Sequence, residues 1–175
     1  EIFKIDSYTN LVLQYLRLES FHDDLVFEKV QVEDLVKEVV RKYALFFIQK
    51  GLALNLHDLD KIIVTDKKWL LVVIEQILSN SLKYTKEGGL EIYMEGQELC
   101  IKDTGIGIKN SDVIRVFERG FSGYNGRLTQ QSSGLGLYLS KKISEELGHQ
   151  IRIESEVGTG TTVCIKFSNM NLMIE

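Results

Sequence analysis

The run from Asp66 to Thr85 limits what this chain can fold into more than any other stretch. Trp69, Leu70, Leu71, Val72, Val73, Ile74, Ile77, Leu78 and Leu82 make an apolar segment that is too long for one strand and contains no Gly or Pro. The spacing predicts a largely buried helix, with Asp66 as its N-cap. Gln76, Asn80, Lys83 and Tyr84 recur at i, i+4, i+7 and i+8, which stacks them on one stripe of that helix. A buried carboxamide left unpaired costs about 1–3 kcal/mol, so the stripe needs partners: neighbouring backbone and water, or a bound ligand.

Two glycine signatures lie downstream. Asp103-Thr104-Gly105-Ile106-Gly107 follows an alternating apolar segment, and Gly134-Leu135-Gly136-Leu137 opens a helical pattern. A Gly-X-Gly turn lets backbone approach a ligand where a Cβ would clash, and a helix N-terminus offers free N–H groups to phosphate.

The rest of the chain arranges itself around these pieces. Ile2, Ile5, Thr9, Val12 and Leu16 fall on heptad a and d positions, with Tyr8, Leu11, Tyr15 and Leu18 widening the face, which suggests a helix for a bundle or dimer seam. A strand is expected over residues 25–30, a helix over 32–50 stopped by Gly51, and strands over 52–56 and 61–65. After the central helix come a hairpin of residues 90–94 and 98–103, a helix over 135–147 ended by Gly148, and a closing hairpin of 150–154 and 162–167. From Thr104 to Ser133 only a short helical patch near 112–117 breaks a stretch rich in Gly, Ser, Asn and Gln, which reads as a mobile lid. Strands and helices segregate, so the class is α+β: one mixed sheet covered on one face by about three helices.

With 175 residues and 44% hydrophobic content, the chain suffices for one domain with a core plus a small appendage. A net charge of −4, with no basic cluster interleaved with aromatics, gives nucleic-acid binding little support. Cys100 and Cys164 sit in strand-like runs without metal-ligand spacing and are expected as reduced core thiols, with no metal cluster. His22, His57 and His149 are expected at the surface or at strand ends. No run of 18 apolar residues exists and no signal-peptide pattern opens the chain, so membrane contact is not expected of this segment. The chain begins without Met inside a helical pattern and reads as a fragment.

Taken in order, these boxes resemble the ATP-binding domain of bacterial sensor histidine kinases, within the wider group that includes gyrase, Hsp90 and MutL. The N box corresponds to Glu75–Thr85, the G1 box to Asp103–Gly107, the F box to Phe117–Phe121 and the G2 box to Gly134–Leu137. The resemblance covers nearly the whole chain. It implies a two-layer α/β sandwich at residues 23–175, with a lid at about 104–133. Residues 1–22 would then be the end of the second helix of a dimerisation and phosphoacceptor hairpin.

The resemblance also implies roles. Asp103 would accept from the adenine amino group, Gly105 and Gly107 would let the chain turn near the base, and Thr161 would support that contact. Asn80 would hold Mg²⁺, with Lys83 and Tyr84 near ribose or phosphate. Gly134, Leu135, Gly136 and Leu137 would face the phosphates, and Arg127 in Asn-Gly-Arg would reach the γ-phosphate. Two departures stand out. Gln76 occupies the position of a water-activating glutamate or a second asparagine; an amide is no general base at neutral pH, so little hydrolysis is expected. Glu75 is rotated about 100° from the stripe and is assigned only an orienting role. Gly120-Phe121-Ser122 replaces the aromatic residues and arginine of many kinases.

The implied activity is transfer of the ATP γ-phosphoryl to a histidine on the upstream hairpin, of the same or a partner subunit, for relay to a response regulator. The full-length protein would be a dimeric phosphoprotein of a two-component system, with this part on the cytoplasmic side of a bacterial plasma membrane. Tyr15–Glu19, Phe117–Ser122 and Asn125-Gly126-Arg127 look most like short Gram-positive kinases that work with peptide-antibiotic transporters. The alternatives are a soluble serine kinase of the anti-sigma type, and a non-enzymatic dimerising module with a degenerate nucleotide pocket.

Overall fold

The computed structural model describes residues 25–122 and 134–168. The helix expected near the N-terminus, Arg127, His22, most of the Gly-rich second half of the lid and the C-terminal tail lie outside them.

Among the described residues, seven strands and four helices follow in the order β1 (Phe27–Gln31), α1 (Val32–Lys50), β2 (Ala53–His57), β3 (Ile62–Asp66), α2 (Lys67–Tyr84), β4 (Gly89–Glu95), β5 (Glu98–Asp103), α3 (Asn110–Val113), α4 (Gly136–Glu146), β6 (Gln150–Glu156) and β7 (Gly160–Lys166). Every strand and helix expected within the described residues is present, with boundaries moved by one to a few residues. α1 ends where Gly51 adopts a left-handed conformation at φ 64°, as a C-terminal glycine allows. α2 begins where the Asp66 carboxylate accepts from the Trp69 N–H at 3.0 Å. The other carboxylate oxygen of Asp66 accepts from the Val26 N–H at 2.8 Å, tying the cap to the strand before α1.

The single mixed sheet of the sequence reading divides in two among the described residues. β1 and β3 form a separate antiparallel ribbon, and the larger sheet has the order β2-β4-β5-β7-β6. The reason is local: Gln31 runs straight into α1 and Asp66 straight into α2, so the ribbon is the root from which both helices leave. β2 runs parallel to β4, and every other pairing in the larger sheet is antiparallel.

The core lies between the helices and one face of this sheet. Leu70, Val73, Ile74, Ile77 and Leu78 of α2 meet Leu90, Ile92, Leu99, Ile101, Val163 and Ile165 of the strands, all almost fully buried. Each such side chain contributes about 1.5–3 kcal/mol relative to exposure. The period of two in the strands and of 3.6 in α2 makes this division, and it leaves the stripe of α2 at the margin of the core.

The opposite face of the sheet carries one residue from each strand in a single row: His57, Tyr93, Cys100, Cys164 and Arg152. His57 stacks on Tyr93 at 5.1 Å, and Arg152 grips Glu98 at 2.7 Å. The cysteines were expected as reduced thiols; they are instead directly opposed, 4.1 Å apart at Cα, and joined as a disulfide. The register of β5 against β7, which skips β6, brings them together, and nothing in either strand alone signals it.

Candidate functional site

Asp103 is the last residue of β5 and is 6% exposed. The strand register sets it opposite Thr161, whose backbone N–H donates to Asp103 Oδ1 at 3.2 Å. The Gly105 N–H donates to the same oxygen at 2.9 Å, and Ser81 of α2 adds a side-chain hydrogen bond. Burial pushes the carboxyl of Asp103 above the usual carboxylate range, while the bonds from Gly105, Ser81 and Thr161 pull the other way. The result is an acceptor held in one orientation at the foot of α2. Thr161 thus supports Asp103 through its backbone; its hydroxyl pairs with Ser155 at 2.8 Å. Gly107, at φ 71°, lies so close to the Glu156 carbonyl that a Cβ would come within 2.0 Å of it, which locks the turn after β5 onto the β6–β7 turn.

The second cluster is the stripe of α2, where Gln76, Asn80, Lys83 and Tyr84 are all half-buried, as their spacing predicts. α4 packs along α2 and starts over this stripe. A Cβ on Gly136 would come 2.9 Å from Gln76 Oε1 and 3.8 Å from Asn80 Nδ2, so the glycine permits a contact that any larger residue would push apart. No side chain caps α4, and its first turn stands beside the two carboxamides, an arrangement of the kind that can receive an anion. Lys83 Nζ lies 5.0 Å above the Tyr84 ring. The loop before α4 is tied to the F box by the Gly120 N–H donating to the Gly134 carbonyl at 3.0 Å. Leu135 and Leu137 flank Gly136 and are half-buried.

Glu75 is turned off the stripe, as its 100° offset requires: its carboxylate meets Lys42 of α1 at 2.8 Å. It does not join the cluster of Gln76 and Asn80. Just before the F box, Arg115 lies 4.5 Å over the Phe121 ring and pairs with Glu118. Arg127 lies outside the described residues. His149, expected near the surface, is 2% exposed, with Nε2 at 2.9 Å from the Thr65 hydroxyl; the turn after α4 folds it under Phe167. Ser81 was missed by the sequence reading, although a lone hydroxyl between Ile77 and Leu82 on the buried face is the signal that could have found it.

A family model described as histidine kinase-, DNA gyrase B- and HSP90-like ATPase matches residues 65–170. The sensor histidine kinase YxdK of Bacillus subtilis (strain 168) is 37% identical over 95% of this chain and 54% of its own length. The sensor protein kinase GraS of Staphylococcus aureus (strain JH1) is 36% identical over 98% of this chain and 51% of its own. The chain therefore spans about half the length of the curated relatives it matches. Among solved structures, the Acinetobacter baumannii histidine kinase AdeS superposes with a TM-score of 0.76 at 21% identity, covering 97% of this chain and 81% of that one. Full-length ShkA in complex with AMPPNP gives 0.75 at 22% identity, covering 92% and 35%. With the fold shared and the family model spanning both the Asp103 cluster and the α2 stripe, the chain belongs to the histidine kinase-, DNA gyrase B- and HSP90-like ATPase family.

Proposed function

We propose that this chain is the ATP-binding catalytic part of a sensor histidine kinase, which delivers the γ-phosphoryl of ATP to a histidine on a helical hairpin of the longer protein. The observation that carries the reading is the pairing of two clusters along one helix: an oriented, buried acceptor at Asp103, and a carboxamide stripe facing the uncapped start of α4. The named relatives, sensor kinases over nearly all of this chain, favour it over the serine-kinase and degenerate-module alternatives.

On this reading Asp103 selects adenine, because a carboxylate accepts from the exocyclic amino group and opposes the carbonyl that guanine presents there. Gly105, Gly107 and Thr161 hold it in place. The first N–H groups of α4, around Gly134–Leu137, receive the phosphates, with Lys83 and Tyr84 alongside and Arg127 as a candidate for the γ-phosphate. The Asn80 side chain, whose Nδ2 lies nearest the α4 start, also carries a carboxamide oxygen, a hard, neutral donor that fits Mg²⁺, an ion that keeps most of its waters; bound there it would offset phosphate charge. Phosphoryl transfer asks chiefly for positioning and charge neutralisation, and this chain supplies both. Gln76 orients without acting as a base, so hydrolysis to water is slow. Residues 23–175 form the catalytic domain, and residues 1–22 end the dimerising hairpin. The whole protein works as a membrane-anchored homodimer passing phosphate to a response regulator.

Calorimetric titration with ATP and GTP, with and without Mg²⁺, tests the reading. Wild type should bind ATP in preference to GTP, and Asp103→Asn should weaken ATP by at least about tenfold while leaving the fold intact, because the amide oxygen still accepts from Gly105 and Thr161. A folded wild-type chain that binds no ATP would sink it.

A further inference from the structure

Thr85 follows α2 and is fully buried, yet its hydroxyl makes no hydrogen bond among the described residues. Its backbone is pinned from both sides: the N–H donates to the Ser81 carbonyl at 3.0 Å, and the carbonyl accepts from Lys50 Nζ at 3.0 Å. The side chain therefore has a fixed origin. What it faces is set by Gly105. A Cβ on Gly105 would come 3.1 Å from Thr85 Oγ1 and 2.8 Å from Asp103 Oδ1, so both oxygens border the one position that the absent side chain leaves open. The same point is closed on a third side by the Tyr84 carbonyl, which accepts from the Ile106 N–H at 3.2 Å.

An unpaired buried hydroxyl is destabilising, and protein interiors rarely keep one without a partner that arrives later. Asp103, Ser81 and the two backbone N–H groups satisfy one another, so Thr85 is the polar group of this corner left over. A hydroxyl can donate and accept at once, which suits a purine edge, where a ring nitrogen that accepts lies next to an amino group that donates. We infer that Thr85 is a further specificity-determining residue of the adenine site, donating to a ring nitrogen of the base directly or through one water while Asp103 takes the amino group.

This inference rests on the ATP-binding reading, and the test separates the two. Thr85→Val keeps the shape and removes the hydroxyl; Thr85→Ser keeps the hydroxyl. ATP affinity of wild type, Thr85→Val and Thr85→Ser is measured by calorimetry, with nucleotide-free thermal midpoints alongside. The expected result is a loss of about tenfold in Thr85→Val, near-wild-type affinity in Thr85→Ser, and an unchanged or raised midpoint in Thr85→Val, because a group unpaired in the free protein costs nothing to remove. The triphosphate of purine riboside, which lacks the amino group, should lose affinity on Thr85→Val by the same factor, since the hydroxyl reads the ring and not the amino group. Wild-type binding with undiminished affinity in folded Thr85→Val overturns the inference and leaves the ATP reading standing. A lowered midpoint with unchanged affinity assigns Thr85 to the helix end and also overturns it. No ATP binding by wild type overturns both.

Discussion

Protonation of His149 should set the acid limit of this domain. The ring is 2% exposed, and burial lowers its pKa from 6.5 to about 4. Below pH 6.5 the unfolded chain takes up a proton that the folded chain refuses until about pH 4. The contribution is therefore intact above pH 6.5 and is lost as the pH falls towards 4. A difference of 2.5 pKa units corresponds to about 3 kcal/mol in full, and about 2 kcal/mol of it falls between pH 7.5 and 5. His149 pairs with Thr65, the residue before the α2 cap, so the strain of charging it falls on the root of the helix that bears the stripe. The assay is urea denaturation followed by the fluorescence of the single tryptophan, Trp69, which is buried in α2. Wild type and His149→Gln, which keeps a donor for Thr65 but does not titrate, are compared at steps from pH 7.5 to 5. Stability of wild type relative to the variant should fall by about 2 kcal/mol across that range. A flat difference would refute the reasoning, because it would mean that the folded ring accepts a proton as readily as the unfolded one.

Three further outcomes follow from the packing. Gly107→Ala should destabilise by about 2–4 kcal/mol in the same denaturation assay, from a left-handed backbone and a Cβ that would overlap the Glu156 carbonyl; a loss under about 1 kcal/mol would show the turn to be free to shift. Asp66→Ala removes the cap of α2 and the tie to Val26 together, so it should cost about 2 kcal/mol, and helicity measured by circular dichroism at the transition midpoint should fall with it. Reduction of Cys100–Cys164, whose sequence separation is 64, should lower stability by about 4 kcal/mol on chain-entropy grounds; mass spectrometry of the unreduced protein showing two free thiols would remove the basis of that figure.

The sequence by itself determined α2, its N-cap, its buried face and its half-buried stripe, because a helix period and a cap depend on residues within a few positions of one another. For the same reason it located the two glycine turns and Asp103 at the end of a strand. Tertiary structure alone decided the rest. The opposition of Cys100 to Cys164, and of Asp103 to Thr161, depends on β7 lying beside β5, a strand order that no local pattern encodes. The burial of His149, the turn of Glu75 towards Lys42 and the meeting of Thr85 with Asp103 over Gly105 each join residues far apart in the chain. Side-chain environment at such places is a sum over distant neighbours. The unpaired Thr85 hydroxyl beside Gly105 emerges only once the strands and helices have closed on one another.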